Sequence, residues 1–279
     1  MLRQIPVARI RTAVETLLTE AAYRLPADYL ASLEAAAPSE PSPIGQQVIE
    51  LLLENSAYAQ AEQIATCQDT GMAMLFLEVG QDVHFTGGAV NAAIQDGVRA
   101  AYTGLRKSVV GDPIRRANTG DNTPGLIHYE IVPGDRVAIT ALQKGFGAEL
   151  MSRLQMFPPS VGVEGVIRFV IETVELAGPN ACPPVIVGVG LGGSFNTVAH
   201  QAKKALLRPI GSLHPVPHLA ELEADLLAAI NRTGIGPQGL GGRITALAVH
   251  IEAQATHIAA LPVAVNLNCS APRRARVEI

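Results

Sequence analysis

Long apolar runs are missing from this sequence. No stretch reaches the ~18 residues that a helix needs to cross a bilayer, and Glu15 and Glu20 interrupt the first amphipathic segment. There is no hydrophobic signal peptide at the start, so no membrane association is expected. Charge is scarce too. Charged side chains make up 16% of the 279 residues and the net charge is −4, which gives no electrostatic reason to expect nucleic acid as a partner. With 48% hydrophobic residues, that composition argues against disorder and for a large surface that is buried or covered by another subunit. Cysteine appears three times, at Cys67, Cys182 and Cys269, separated by 115 and 87 residues. An odd count at such spacing does not make a disulfide framework, so a reducing cytoplasm is the expected home. No Cys-x-x-Cys knuckle occurs, so any shared role for the three sulfurs depends on the fold. Internal repeats, linker-like composition and a clear domain boundary are also lacking, and residues 1–279 read as one domain.

What is present is periodic. Ile10, Val14, Leu17, Leu18 and Ala21 predict an amphipathic helix over 5–23, and Pro26 to Ala37 a shorter one. Ser42-Pro43 reads as a cap followed by proline at the first helical position, opening a helix to residue 63. The first 64 residues are thus read as a helical segment that delivers the chain to Ala65-Thr66-Cys67-Gln68-Asp69-Thr70-Gly71. There a thiol, an amide and a carboxylate stand side by side in a stretch whose short polar residues and closing glycine suit a tight turn. On this segment alone the plainer reading is a buried cysteine beside a turn capped by Asp69.

Met72–Val79 follows as a strand, Gly87–Ala101 as a helix, and Leu126–Ile131 with Val137–Leu142 as a strand pair joined at Pro133-Gly134-Asp135. Lys144 to Glu149 reads as a glycine loop. After it, a helix is expected to bury a stripe of Val163, Ile167, Val170, Ile171 and Val174. Val185–Val189 is a buried strand, and Gly188-Val189-Gly190-Leu191-Gly192-Gly193 after it matches the dinucleotide-binding fingerprint in form. The acidic residue expected about 20 positions on is missing, Glu221 being the first acid after the motif. Close packing of helix on strand is the preferred reading. Pro217–Ile230 predicts a helix, Gly234–Gly242 a glycine-rich loop, and Ile244–Ile251 and Val263–Leu267 strands. Arg273, Arg274 and Arg276 read as a solvated charge run. The fold class is mixed α/β: amphipathic helices first, then helices packed on a mixed sheet, with functional loops at strand ends.

Each cysteine adjoins the edge of a strand-like run, where a fold can gather groups from distant segments. Three thiolates suit one cube-shaped iron–sulfur cluster whose fourth iron has no protein ligand. Five blocks then become recognisable. They are Ala65–Gly71, Leu105-Arg106-Lys107-Ser108, Asn118-Thr119-Gly120-Asp121-Asn122-Thr123-Pro124, Asn180-Ala181-Cys182-Pro183-Pro184 and Gly234-Ile235-Gly236-Pro237-Gln238-Gly239-Leu240. Together they resemble the class I, iron–sulfur-dependent fumarate hydratases, and more closely the alpha subunit of the two-subunit form. The related alpha subunit of L-tartrate dehydratase shares several blocks.

The resemblance implies a 4Fe–4S cluster held by Cys67, Cys182 and Cys269, with one iron lacking a protein ligand and open to a small dicarboxylate. It implies that Gln68 and Asp69 contact substrate, Asp69 as the proton donor, and that Arg106 binds a substrate carboxylate. It also implies roles for His257, twelve residues before Cys269, and for Gly145 and Gly147 in a substrate-contacting loop. Phe146 departs from the family's usual glycine there. A beta subunit, carrying the remaining basic residues and the base, is implied as partner, in a higher oligomer of alpha–beta pairs. Asp121-Asn122-Thr123-Pro124 and Ile127-His128 favour fumarate over L-tartrate as substrate. A non-catalytic iron–sulfur or interaction subunit is the alternative from another class.

Overall fold

The computed structural model describes residues 2–279. In chain order its elements are β1 (Arg3–Pro6), α1 (Val7–Tyr23), α2 (Ala27–Ala36), α3 (Pro43–Glu62), β2 (Met72–Gly80), β3 (Val83–Thr86), α4 (Val90–Ala101), β4 (Leu126–Val132) and β5 (Val137–Lys144). Then come α5 (Phe146–Glu149), β6 (Arg153–Phe157), α6 (Gly162–Ala177), β7 (Val185–Gly192), α7 (Phe195–Ala205), α8 (Pro217–Ile230), β8 (Ala246–Gln254), β9 (Leu261–Asn268) and β10 (Arg273–Glu278). Among the described residues no helix is long and apolar enough to cross a membrane. The mixed α/β class is as expected.

The chain forms two compact units. The first comprises residues 1–26, 56–146 and 272–279. Its four-stranded sheet has the order β10-β5-β2-β4, with β4 parallel to β2 and β5 antiparallel to it. β4 and β5 are therefore not the hairpin that their short turn suggests. Both pair with β2, which lies between them. Burial explains the arrangement: every residue of β5 is buried, whereas β4 is largely exposed and takes the edge. Ile10, Val14, Leu17 and Leu18 of α1 pack with Leu75 and Leu77 of β2, Ile94 and Val98 of α4 and Ile139 of β5. That is the apolar stripe read from the sequence. The predicted helix 5–23 starts two residues late, because Arg3–Pro6 pairs in parallel with β3 as a separate two-stranded sheet.

The second unit comprises residues 27–55 and 147–271. Its sheet has the order β6-β9-β7-β8, with β7 parallel to β8 and antiparallel to β9. α8 buries Leu219, Leu222, Leu226 and Ile230, as its spacing predicts. The α6 stripe is rotated from the expected one. Val166, Phe169, Val170 and Val174 are buried, while Val163 is exposed. The glycine fingerprint is a packing device. A Cβ on Gly188 would come within 2.2 Å of the Ala202 carbonyl oxygen, and one on Gly190 within 2.2 Å of the Val198 carbonyl oxygen. α7 thus presses directly on β7, and only glycine permits that approach.

A device that the sequence did not reveal holds a loop of this unit. Glu40 is buried, and its carboxylate accepts hydrogen bonds from the backbone N–H groups of Ser42 (2.9 Å), Arg243 (2.8 Å) and Ile244 (2.7 Å). A Cβ on Gly242 would sit 2.4 Å from Glu40 Oε1, so the amides reach the carboxylate because that residue is glycine.

Candidate functional site

The segment 65–71 connects α3 to β2 and is tied down at both ends. The Thr66 N–H and hydroxyl both donate to the Ala22 carbonyl oxygen, at 3.0 and 3.1 Å. Gly71 adopts φ +71, and a Cβ there would come within 2.6 Å of the Lys144 carbonyl oxygen. Only glycine lets the turn pass so close to β5. Between these anchors the Asp69 carboxylate accepts the Gly71 N–H at Oδ1 (2.9 Å) and the Phe146 N–H at Oδ2 (2.8 Å). Asp69 is therefore a turn cap, as the plainer reading had it, and its second oxygen also fixes the start of the 146–149 turn. The predicted glycine loop at 144–149 is in fact the end of β5 followed by this single helical turn.

The Thr70 hydroxyl donates to the Arg106 carbonyl oxygen at 2.6 Å, which fixes the Leu105–Ser108 block beside the turn. Buried Asn122 closes the same corner. Its Oδ1 accepts the Ser108 N–H at 2.6 Å and the Val109 N–H at 3.1 Å, and its Nδ2 donates to the Gly71 carbonyl oxygen at 3.1 Å. The buried Tyr102 hydroxyl donates to the Thr70 carbonyl oxygen at 3.0 Å. Burial pushes that hydroxyl far above its ordinary pKa, with Arg273 acting in the opposite sense and Asp69 in the same one. The result is a cavity of about 450 Å³ whose lining includes Tyr23, Cys67, Gln68, Thr70 and Arg106. Cys67, half-buried, faces it with its thiol 3.5 Å from Gln68 Oε1. Arg106 is exposed, so its guanidinium is open to an anion.

In the second unit, the loops carrying Cys182 and Cys269 are held together. The Ser270 N–H donates to the Cys182 carbonyl oxygen at 3.0 Å. Gln238 clamps the pair, its Nε2 donating to the Pro183 carbonyl oxygen at 2.7 Å and to Ser270 Oγ at 3.0 Å. Gly239 lets this loop approach the 178–183 segment, since a Cβ there would meet Pro179 at 2.4 Å. Buried Tyr29 donates to the Ser270 carbonyl oxygen at 2.7 Å. Its hydroxyl pKa is pushed far up by burial, with Cys269 adding to the rise. Cys182 has φ +52 and an exposed side chain, Cys269 is half-buried, and none of the three cysteines forms a disulfide.

The first unit thus brings together Cys67, Gln68, Asp69, Arg106 and Gly145. The second contains Cys182, Cys269, Gly147 and His257. His257 lies in the exposed turn between β8 and β9, its Nδ1 accepting the Ala259 N–H at 3.2 Å. Among the described residues, no three His, Cys, Asp or Glu side chains stand close enough to hold a metal ion. Sequence reasoning missed Tyr102, Tyr29 and Arg273. The arginine run at 273–276 is the clearest correction. It is no solvated tail but β10, paired with β5 from Arg273↔Gln143 to Glu278↔Ala138, and Arg273 is fully buried.

The family model described as fumarate hydratase (Fumerase) matches residues 11–278. A relative from Methanocaldococcus jannaschii, provisionally named L(+)-tartrate dehydratase subunit alpha, is 40% identical over 274 residues, covering 96% of each chain. The L(+)-tartrate dehydratase subunit alpha of Escherichia coli (strain K12) is 36% identical over 278 residues, covering 98% of this chain and 91% of its own. The subunit of the same name from Escherichia coli O157:H7 is 37% identical over 278 residues, with the same coverage. A match from Arg11 to Glu278 that takes in the turn at Cys67, the Arg106 block and both cysteine loops of the second unit means that this chain belongs to the fumarate hydratase family.

Proposed function

We propose that this chain is the alpha subunit of a hydro-lyase that reversibly adds water across the double bond of a four-carbon dicarboxylate, fumarate giving (S)-malate. The observation that carries the reading is the cavity that Cys67, Gln68, Thr70 and Arg106 share. It offers a thiol for a metal, an amide that orients a polar substrate and a planar cation for a carboxylate, with the Asp69 carboxyl in the same turn.

We read the three thiols as the donor set of a 4Fe–4S cluster with one iron lacking a protein ligand. All three cysteines are free of disulfides, and the loops bearing Cys182 and Cys269 are hydrogen-bonded to each other. Cys67, Cys182 and Cys269 would hold it. When bound, such an iron supplies Lewis acidity that eases the departure of hydroxide. The protein's own steps are then these. Arg106 grips one carboxylate of the dianion with paired hydrogen bonds. Gln68 orients the substrate through its amide. Asp69 gives its proton to the leaving hydroxyl oxygen, which departs as water, or takes that proton back in the hydration direction. Gly145, Gly147 and His257 are assigned substrate contacts. The base that removes the carbon-bound proton is assigned to a beta subunit in the reducing cytoplasm, in an oligomer of alpha–beta pairs.

L(+)-tartrate is the second candidate substrate, favoured by the names of the relatives. The motifs that favour fumarate in the sequence have structural occupations here. Asn122 braces the turn, Asp121 accepts hydrogen bonds from Thr123 and Arg99, and His128 stacks on Phe76. The test is anaerobic co-expression with the beta chain, an iron and sulfide count, and parallel turnover of (S)-malate and L(+)-tartrate. Faster elimination from L(+)-tartrate would move the assignment to tartrate dehydratase. A fully loaded pair that dehydrates neither acid would make the chain a non-catalytic iron–sulfur or interaction subunit.

A further inference from the structure

Among the described residues Arg273 is the largest side chain that is fully buried, and its Nε and Nη2 have no hydrogen-bond partner there. Those two nitrogens share one edge of the guanidinium, the edge that grips a carboxylate with two parallel bonds. A buried cation with that edge open is costly unless something anionic completes it. The Asp69 carboxylate stands beside it. A Cβ built on Gly145 would lie 3.2 Å from Asp69 Oδ2 and 3.3 Å from Arg273 Nη2, so the two groups flank the same glycine from opposite partners. The absence of a side chain at Gly145 leaves the path between them clear. Lys144, also buried, donates from Nζ to the Gly145 carbonyl oxygen at 3.1 Å. Among the described residues Asp69 Oδ2 accepts a hydrogen bond from the Phe146 N–H alone, which leaves a lone pair for a charged donor.

We propose that Arg273 is a positioning residue for Asp69, its open Nε/Nη2 edge holding the Asp69 carboxylate in place across Gly145. This rests on the assignment of Asp69 as proton donor under Proposed function. A preplaced guanidinium edge fixes a carboxylate in one orientation through two parallel bonds, without reorganising. Arg273 is held for the task by its place in β10 against Gln143 of β5. Arg106 stays the ligand-binding cation on the open side of the turn.

Two measurements test the inference. In the cluster-loaded alpha–beta complex, Arg273→Met is expected to lower kcat by roughly 10²-fold with KM within about twofold of wild type. Arg273→Lys, which keeps the charge but not the fork, should recover part of that loss, and free guanidinium should partly rescue Arg273→Ala. A rise in KM at steady kcat, or no effect on either, overturns the proposal. The second measurement needs no turnover. The ¹⁵N resonance of Arg273 Nε in the full chain should move when Asp69→Asn is introduced, and an unmoved resonance overturns the pairing. Should the wild-type complex dehydrate neither acid, the functional reading fails, and the resonance alone still decides the Asp69–Arg273 pair.

Discussion

Asp69 and Arg106 stand in one corner of the first unit but are built for different work. Asp69 is fixed by two backbone amides and adjoins Cys67, whereas Arg106 is fixed through its carbonyl oxygen and leaves its side chain free. Losing a proton donor weakens mainly the transition state, so Asp69→Asn should reduce kcat by roughly 10²-fold or more with a modest change in KM. Losing the carboxylate grip weakens both states, so Arg106→Ala should raise KM as well as lower kcat. Steady-state kinetics on variants matched for iron content separates the two, and near-normal turnover by Asp69→Asn would leave that residue as a turn cap only. Glu40 makes a prediction of another kind. Its carboxylate serves the amides of Ser42, Arg243 and Ile244, so Glu40→Ala should cost about 3 kcal/mol in a urea melt, with Glu40→Gln intermediate. The residues of the cysteine turn were legible because a thiol, an amide and a carboxylate before a glycine form a local pattern. Arg273 and Glu40 were not, because each gains its role from a partner more than 100 residues away.

Helices α1 and α8, with a clean apolar period, were read from sequence close to their true bounds; so was α3, although Ile44 and Leu51 of its expected stripe are exposed. Short strands were not. Arg3–Pro6, Val83–Thr86 and Arg153–Phe157 carry too few alternating residues to stand out, and they exist because another strand is there to pair with. The β4–β5 turn misled for a related reason. A local turn suggests that neighbours in sequence pair, but β2 lies between the two strands and pairs with each along one edge. The glycine fingerprint at β7 shows one pattern with two physical uses. Because a methyl at position 190 would meet the α7 backbone, Gly190→Ala should destabilise the protein by about 3 kcal/mol. Gly111→Ala, where the nearest atom is 3.6 Å away, should be close to neutral. Thermal melts of the two variants make the comparison.

At the scale of the whole molecule, the proposed division of labour predicts that the purified alpha chain alone is inactive and that the beta chain restores turnover. Robust hydration of fumarate by this chain by itself, with contaminating enzyme excluded by a catalytically dead control, would remove the need for a partner. The low charged fraction is compatible with a large subunit interface.

The place of β10 in the first unit has a consequence for how the protein is made. A ribosome releases most of that unit's sheet first, then the entire run 147–271, and only afterwards the strand that pairs with β5. Throughout that interval the growing polypeptide carries β5 with one unpaired edge, and every residue of β5 is apolar enough or shielded enough to end up buried. The nascent chain therefore exposes that strand edge while the second unit is translated, and a message truncated before codon 273 is expected to yield an aggregation-prone, unfinished sheet.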